Sequence, residues 1–279
     1  MGDYARARVN FEAALEIASA ADLQWHMGPT LLGLDHVRAC TGHYGEAWSG
    51  MQKTLLWLQG VKHVRYQLIA YEFLGHLLLD LGLHEQAVQT MQHGLALGVE
   101  AGIMFWRQSI DANLAIARAR LGQRGLAPAL EAARERSLRS ADRYMTLRCL
   151  EALAEVAFTE GDAPRCRGCG DELLALAEAN GLREIEGIAR RWRGEALFAE
   201  NAIAAAHAEL SRAAALAQDV GRSRLMWDIE STLARVCAAQ GESGAARHHE
   251  TKAGGIAQAI KASVGASGLE VRLRAVGSA

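Results

Sequence analysis

The side chains of this sequence that could do chemistry fall into three sets, and one of them recurs with a period. Cys166-Arg167-Gly168-Cys169 is a C-x-x-C, the spacing of a metal half-site or a redox pair. It has no second C-x-x-C and no cysteine or histidine partner at zinc-site spacing. His248 and His249 are adjacent, so on a helix they point about 100° apart and do not chelate together. They read as a solvated surface pair, and His84 and His93 sit singly in polar positions. No nucleophile–base pair, no Walker loop and no G-x-G-x-x-G is present. These residues give no reason to expect an enzyme, a metal site or a cofactor. The third set is periodic. One column holds Leu32, Glu72, Ala112, Glu151, Arg191 and Ser231, and a second, four residues further on, holds His36, His76, Ile116, Glu155, Glu195 and Arg235. Residues four apart share one face of a helix. The set runs from His36, Glu72 and His76 through an apolar middle at Ala112 and Ile116 to Glu151, Glu155, Arg191, Glu195 and Arg235. One reading is a peptide- or domain-binding groove with an apolar pocket flanked by charge. The other is a solvated face whose Glu and Arg pair across adjacent helices, each pair contributing ~0–1 kcal/mol.

The elements that must carry these columns follow from a repeat of 40 residues. Turn signals stand at Gly2, Gly42, Gly82, Gly122, Gly161, Asn201 and Gly241, spaced 40 apart and once 39. Five residues after each comes Ala7, Ala47, Ala87, Ala127, Cys166, Ala206 or Ala246. Seven before the later six come Asp35, Gly75, Ala115, Ala154, Gly194 and Ala234. A fixed period of this length marks stacked repeats, each a supersecondary unit that touches its neighbours. Leu68, Tyr71, Leu74, Leu78 and Leu81 recur at threes and fours, the stripe of an amphipathic helix, and Gly82 ends it. A second helix follows, lined by Ala87, Met91, Leu95 and Leu97. Second stops fall at Ala21-Asp22, Gly102, Ala141-Asp142, Gly181 and Gly221. Asp3 and Asp162 are placed to cap the helices they precede, with Pro164 in a first turn. The small columns let paired backbones approach, and Cys166 stands in one of them as a packing residue. Gly168 and Gly170 weaken their helix by about 1 kcal/mol each relative to alanine, which makes that unit the soft spot.

The count is a lone leading helix over about residues 3–20 and six helix pairs, about 13 helices in all, with no strands. Residues 1–260 are expected to form the repeat domain. Residues 261–279 are expected to form a flexible tail or a short capping helix, with a joint over 262–268. Such a tail could fold back over the groove. The formal charge is −2, so no global basic field gathers nucleic acid or acidic lipid. Arg134, Arg136, Arg139 and Arg143 form a local basic stretch, but Glu131 and Glu135 interleave with it. Nucleic acid is therefore not an expected partner. Five scattered cysteines make no disulfide framework, which fits a reducing cytosol. No apolar run reaches the ~20 residues of a membrane span. Among the aromatics, Trp48, Trp57, Trp192 and Trp227 read as packing, and Phe105-Trp106 as partly exposed.

Leu74-Gly75, Gly2-Asp3-Tyr4, Gly42 to Ala47 (Gly-His-Tyr-Gly-Glu-Ala) and Asn10 to Leu15 (Asn-Phe-Glu-Ala-Ala-Leu) resemble tetratricopeptide (TPR) repeats over residues 2–260. The resemblance implies an all-α, right-handed α-α superhelix, a TPR-like solenoid whose first helices line the concave surface. It also implies a non-catalytic scaffold that binds a protein or peptide. Leu225-Met226-Trp227, Leu233 to Val236, Ala238 to Glu242 and the tail from Leu269 to Arg274 are similar to the C-terminal arms of bacterial AAA or STAND ATPase signalling proteins linked to a nucleotide cyclase or a LuxR-type domain. That likeness implies a cytoplasmic regulatory or sensor arm whose partner is an upstream ATPase domain. The chain opens within a unit, so its first helix is expected to be covered by an upstream segment or by a second copy in a homodimer. The alternative function is a small-molecule sensor holding a metabolite or signal molecule in the groove around Ala112, Ile116 and Glu151.

Overall fold

The computed structural model of the chain describes residues 2–103 and 106–273. Among these residues there are 13 α-helices and no strand. They are α1 (Tyr4–Ala20), α2 (Gln24–Cys40), α3 (Tyr44–Gly60), α4 (Val64–Asp80), α5 (His84–Glu100), α6 (Arg107–Arg120), α7 (Ala127–Arg139), α8 (Arg143–Glu160), α9 (Ala163–Asn180), α10 (Arg183–Ala199), α11 (Ile203–Val220), α12 (Ser223–Ala239) and α13 (Ser243–Val264). Helices packed in sequence, α1 on α2 on α3, α7 on α8 on α9 and so on, give the all-α, TPR-like helix-pair class expected from the period. First helices also touch the next first helix: α2 meets α4, and α10 meets both α8 and α12. The chain forms two compact units, one on residues 3–117 with 259–272 and the other on residues 118–258.

The turns explain the period. Gly2, Gly42, Gly82, Gly122, Gly161, Asn201 and Gly241 all have positive φ, from +61° at Asn201 to +97° at Gly2. That conformation reverses a helix into the next, and L-residues other than Asn and Asp avoid it. The second stops share it at Asp22, Gly102, Ala141, Gly181 and Gly221. They also include Lys62 (φ +55°), a stop that no glycine marks in the sequence. Asp3 accepts a hydrogen bond from the Arg6 amide at 3.0 Å and Asp162 from the Arg165 amide at 3.1 Å, the two expected caps. Asp142 caps α8 in the same way.

The small columns pack as their size requires. A Cβ at Gly75 would stand 2.5 Å from Met91 of α5, and one at Gly194 would stand 2.6 Å from Leu210 of α11. Asp35, the one large member, is buried and lies over Gly50 of α3, where any side chain would collide with its carboxylate. In the C-terminal unit, Ala206, Leu210, Ala213 and Ala217 of α11 meet Leu225, Ile229, Leu233 and Val236 of α12. Leu147 and Leu150 of α8 meet Leu173, Leu174 and Ala177 of α9. The expected joint over 262–268 is instead helix to Val264, followed by a 3-10 turn, Gly265–Ser267, because Ile260 and Val264 are buried and hold α13 together past the polar cluster.

Candidate functional site

The periodic columns sit on the first helices, and the C-terminal unit brings their charged members into direct contact. Glu195 of α10 accepts hydrogen bonds from the Thr232 hydroxyl (2.6 Å) and from Arg235 Nη2 (3.1 Å), both on α12. One turn back on α10, Arg191 Nη1 lies 3.6 Å from Asp228 Oδ2 of α12. Arg224 holds that same carboxylate with two bonds of 3.2 Å, a fork matched to its two oxygens. Arg120, at the end of α6, forms a forked pair with Glu155 of α8, and Arg148 pairs with Glu151 within α8. The result is a ladder of two paired sets of carboxylates and guanidiniums, one on α6 and α8 and one on α10 and α12. Arg191 lies over the Trp192 ring at 4.1 Å and Arg224 over Trp227 at 4.9 Å, so aromatic faces back the cations.

The pairing across adjacent helices is there, but it is buried, so in this state the ladder is neither a solvated face nor the lining of an open groove. Glu155, Arg191 and Glu195 are only 2%, 5% and 1% exposed, and the helices that stack side by side cover them. The exposed margin is Arg235, whose side chain is 31% exposed, with Glu151 half-buried. The two α10–α12 carboxylates shift in opposite directions, because burial raises both and the guanidiniums outweigh it at only one. It pushes the Glu195 carboxyl up, against the opposing pull of Arg191, Arg235 and the Thr232 hydrogen bond. Burial also pushes Asp228 up, but Arg191, Arg224 and Arg120 together with the Arg224 hydrogen bond outweigh it and hold that carboxyl below its ordinary value. Arg191 keeps hydrogen-bonding capacity in reserve: its Nε and Nη2 have no acceptor among the described residues.

The remaining columns lie in the N-terminal unit. Glu72 of α4 accepts from Ser109 Oγ (2.6 Å) and Asn113 Nδ2 (3.2 Å) of α6. His36 stacks on Phe73 at 4.3 Å, and its ring is 5.7 Å from that of His76. Ala112 and Ile116 are buried, so the apolar pocket expected there is filled core rather than an opening. An open groove of this unit lies elsewhere, on the second helices. It offers about 500 Å³ between Trp48, Gln52 and Leu55 of α3 and Gln89, Thr90 and His93 of α5, with Tyr71 and Leu74 of α4 also lining it. The exposed tryptophan is Trp25, beside the His63 ring at 5.2 Å, which the sequence reading passed over. Trp106 is half-buried, and Phe105 lies outside the described residues.

The sequence also left out Asp228, Thr232, Arg224, Arg148 and Arg120. Their signal was available, because Asp228, Thr232 and Arg148 fall three residues before column positions and so on the same stripe. Cys166 is fully buried with Sγ 3.6 Å from the Trp192 carbonyl, and burial pushes its thiol up. Cys169 is pushed up to about 11 by burial, which leaves no reactive thiolate in the C-x-x-C. His249 is not the solvated residue expected: its Nδ1 lies 2.6 Å from Glu230 Oε2, because α13 packs that edge against α12. No helix is long and apolar enough to cross a membrane among the described residues.

No family model and no curated protein matches the chain. Among solved structures, NprR in complex with its cognate peptide NprX is similar, with a TM-score of 0.68 at 14% identity over 94% of this chain and 79% of that one. The likeness is one of fold. BtubC (BKLC) from P. vanneervenii aligns over 99% of this chain and 96% of its own at 17% identity, with a TM-score of 0.35.

Proposed function

We propose that this chain is a non-catalytic peptide-binding module, and that the α8–α10–α12 face of its C-terminal unit reads the peptide. The observation that carries this is Arg191. Its guanidinium is buried, backed by Trp192, and has two nitrogens, Nε and Nη2, whose N–H groups lack an acceptor among the described residues, beside a partly exposed Arg235. A buried donor left unsatisfied costs about 1–3 kcal/mol, and a peptide carbonyl or carboxylate supplies the acceptor. A fold of this kind accompanies a cognate peptide in NprR, which supports the same class of ligand here. Because the ladder is covered in the present state, binding selects a conformation in which α10 and α12 admit the ligand past Arg235.

On the strength of the sequence likeness around Leu225–Glu242, the module serves as the regulatory or sensor arm of a larger cytoplasmic ATP-dependent signalling or transcriptional regulator, with an upstream ATPase domain as a further partner. A homodimer through α1, whose Val9 and Ile17 are exposed, belongs to the same proposal. Selection of peptides from a random displayed library tests the binding reading. Enriched peptides should bind the wild-type chain and bind Arg235→Ala and Arg191→Lys about tenfold or more weakly, since lysine keeps the charge but loses the fork. A library that yields no binder, or binders indifferent to both substitutions, would overturn the reading.

A further inference from the structure

In the N-terminal unit the end of the chain lies extended against the end of α4. After the 3-10 turn, residues 268–273 leave helix and alternate in burial: Leu269 and Val271 are half-buried while Glu270 and Arg272 are exposed. The sequence Leu-Glu-Val-Arg has the same period of two, the pattern of a chain laid flat on a surface. The backbone N–H of Arg272 donates to the carbonyl of Leu81 at 2.8 Å. Leu81 caps the end of α4, so its carbonyl is one of those a helix terminus leaves without an intrahelical donor.

Gly82 is shaped to this contact. Its φ of +75° would suit asparagine as well as glycine, as Asn201 demonstrates at the corresponding turn. A Cβ there would nonetheless collide with the carbonyl of Arg272. At the turns of Gly122, Gly161 and Gly241 a Cβ would meet nothing within 4 Å. Gly82 is therefore needed twice, for the turn and for the close passage of a second backbone. Upstream, the same segment is anchored where the Ser263 and Val264 carbonyls at the end of α13 face Gly45 in the first turn of α3, with 2.5 Å from a Cβ at Gly45 to Ser263 O. Carbonyls at a helix C-terminus and amides at a helix N-terminus carry opposite partial charges.

We infer that the Leu81–Gly82 turn is a docking site for an extended polypeptide with apolar residues at alternate positions, and that residues 269–272 fill it as a tethered, displaceable ligand. A tether makes such a segment a strong competitor at modest intrinsic affinity. The site is separate from the α8–α12 face and does not depend on that reading.

Two variants of the full chain separate the tail from its site. Arg272→Pro removes the donating N–H and frees the tail while leaving the site intact. Gly82→Asn keeps the turn conformation but blocks the passage. Hydrogen exchange of the Arg272 amide should be slow in the wild type and fast in Gly82→Asn, with protection of α4 and α5 unchanged as the control for folding. Arg272→Pro has no amide at that position, so release of its tail is read as faster proteolysis of residues 268–272 than in the wild type. A fluorescein-labelled synthetic peptide of residues 266–273 should then bind Arg272→Pro, fail to bind Gly82→Asn, and bind the wild type roughly tenfold or more weakly because its own tail competes. Unprotected tail amides in the wild type would overturn the inference. So would wild-type resistance of the Arg272→Pro tail to proteolysis, equal peptide binding by both variants, or no peptide binding by an Arg272→Pro chain whose own tail is readily cleaved.

Discussion

Asp35 is the residue where the repeat pattern and the chemistry collide. It occupies a column otherwise filled by Gly and Ala, and its carboxylate is buried over Gly50 with Arg38 Nη1 at 2.7 Å. Burial raises its pKa from 3.8 to about 6, and Arg38 only partly opposes this. A folded-state value above the unfolded one means that the native state holds its proton more tightly. Stability from this site is thus complete below pH 3.8 and lost as pH rises through about 6. Asp35→Asn should remove that slope. Between pH 4 and pH 7 the wild type should lose about 2 kcal/mol relative to the variant in denaturant melts. Equal pH profiles would contradict the assignment. The column position of Asp35 was legible in the sequence, but its fit over Gly50 was not, because that depends on how α2 and α3 are rotated about their axes. The same holds for the ladder. Glu155, Glu195 and Arg235 were picked by spacing, while their partners Arg120 and Thr232 lie 35 and 37 residues away in sequence and meet them only through helix packing.

At the scale of the element, α9 tests the difference between a weak helix and a tightly packed one. Gly168 and Gly170 look alike in the sequence. In the fold a Cβ at Gly168 meets nothing within 4 Å, whereas one at Gly170 would stand 2.8 Å from Arg193 and 3.2 Å from the Ala189 carbonyl. Gly168→Ala should stabilise by about 1 kcal/mol through helix propensity. Gly170→Ala should give no such gain, and a loss where α10 cannot shift. Thermal or denaturant melts of the two variants check this, and equal gains would contradict the packing described for Gly170. Helix existence and order were legible because a turn must adopt positive φ, and glycine or asparagine announces it. The Lys62 stop was not announced: a lysine takes φ +55° there at a cost of about 1–2 kcal/mol, and no residue type marks it.

For the whole molecule, repeats that touch only their neighbours should transmit damage over a short range. Ala154 is fully buried against Cys166, Trp192 and Ala196. Ala154→Leu should cost about 1–3 kcal/mol by overpacking. Its hydrogen-exchange signature should be loss of protection in α8, α9 and α10, with α2 to α5 of the N-terminal unit keeping theirs. Uniform loss along the chain would contradict two separately packed units. The sequence conveyed the repeat class but neither the division into two units nor the tail laid on Leu81, since both depend on contacts between segments far apart in the chain. It also pointed to the first helices as the binding face, whereas an open groove of the N-terminal unit lies on the second helices α3 and α5. Those two surfaces set up the most direct test of the proposed function. A library-selected peptide carrying a photo-crosslinker would be bound to the full chain, irradiated, and its attachment sites mapped by mass spectrometry. Peptide recognition by the guanidinium ladder requires attachment on α10 and α12 near Arg191, Glu195 and Arg235, and attachment confined to the α3–α5 groove around Trp48 and His93 would contradict it.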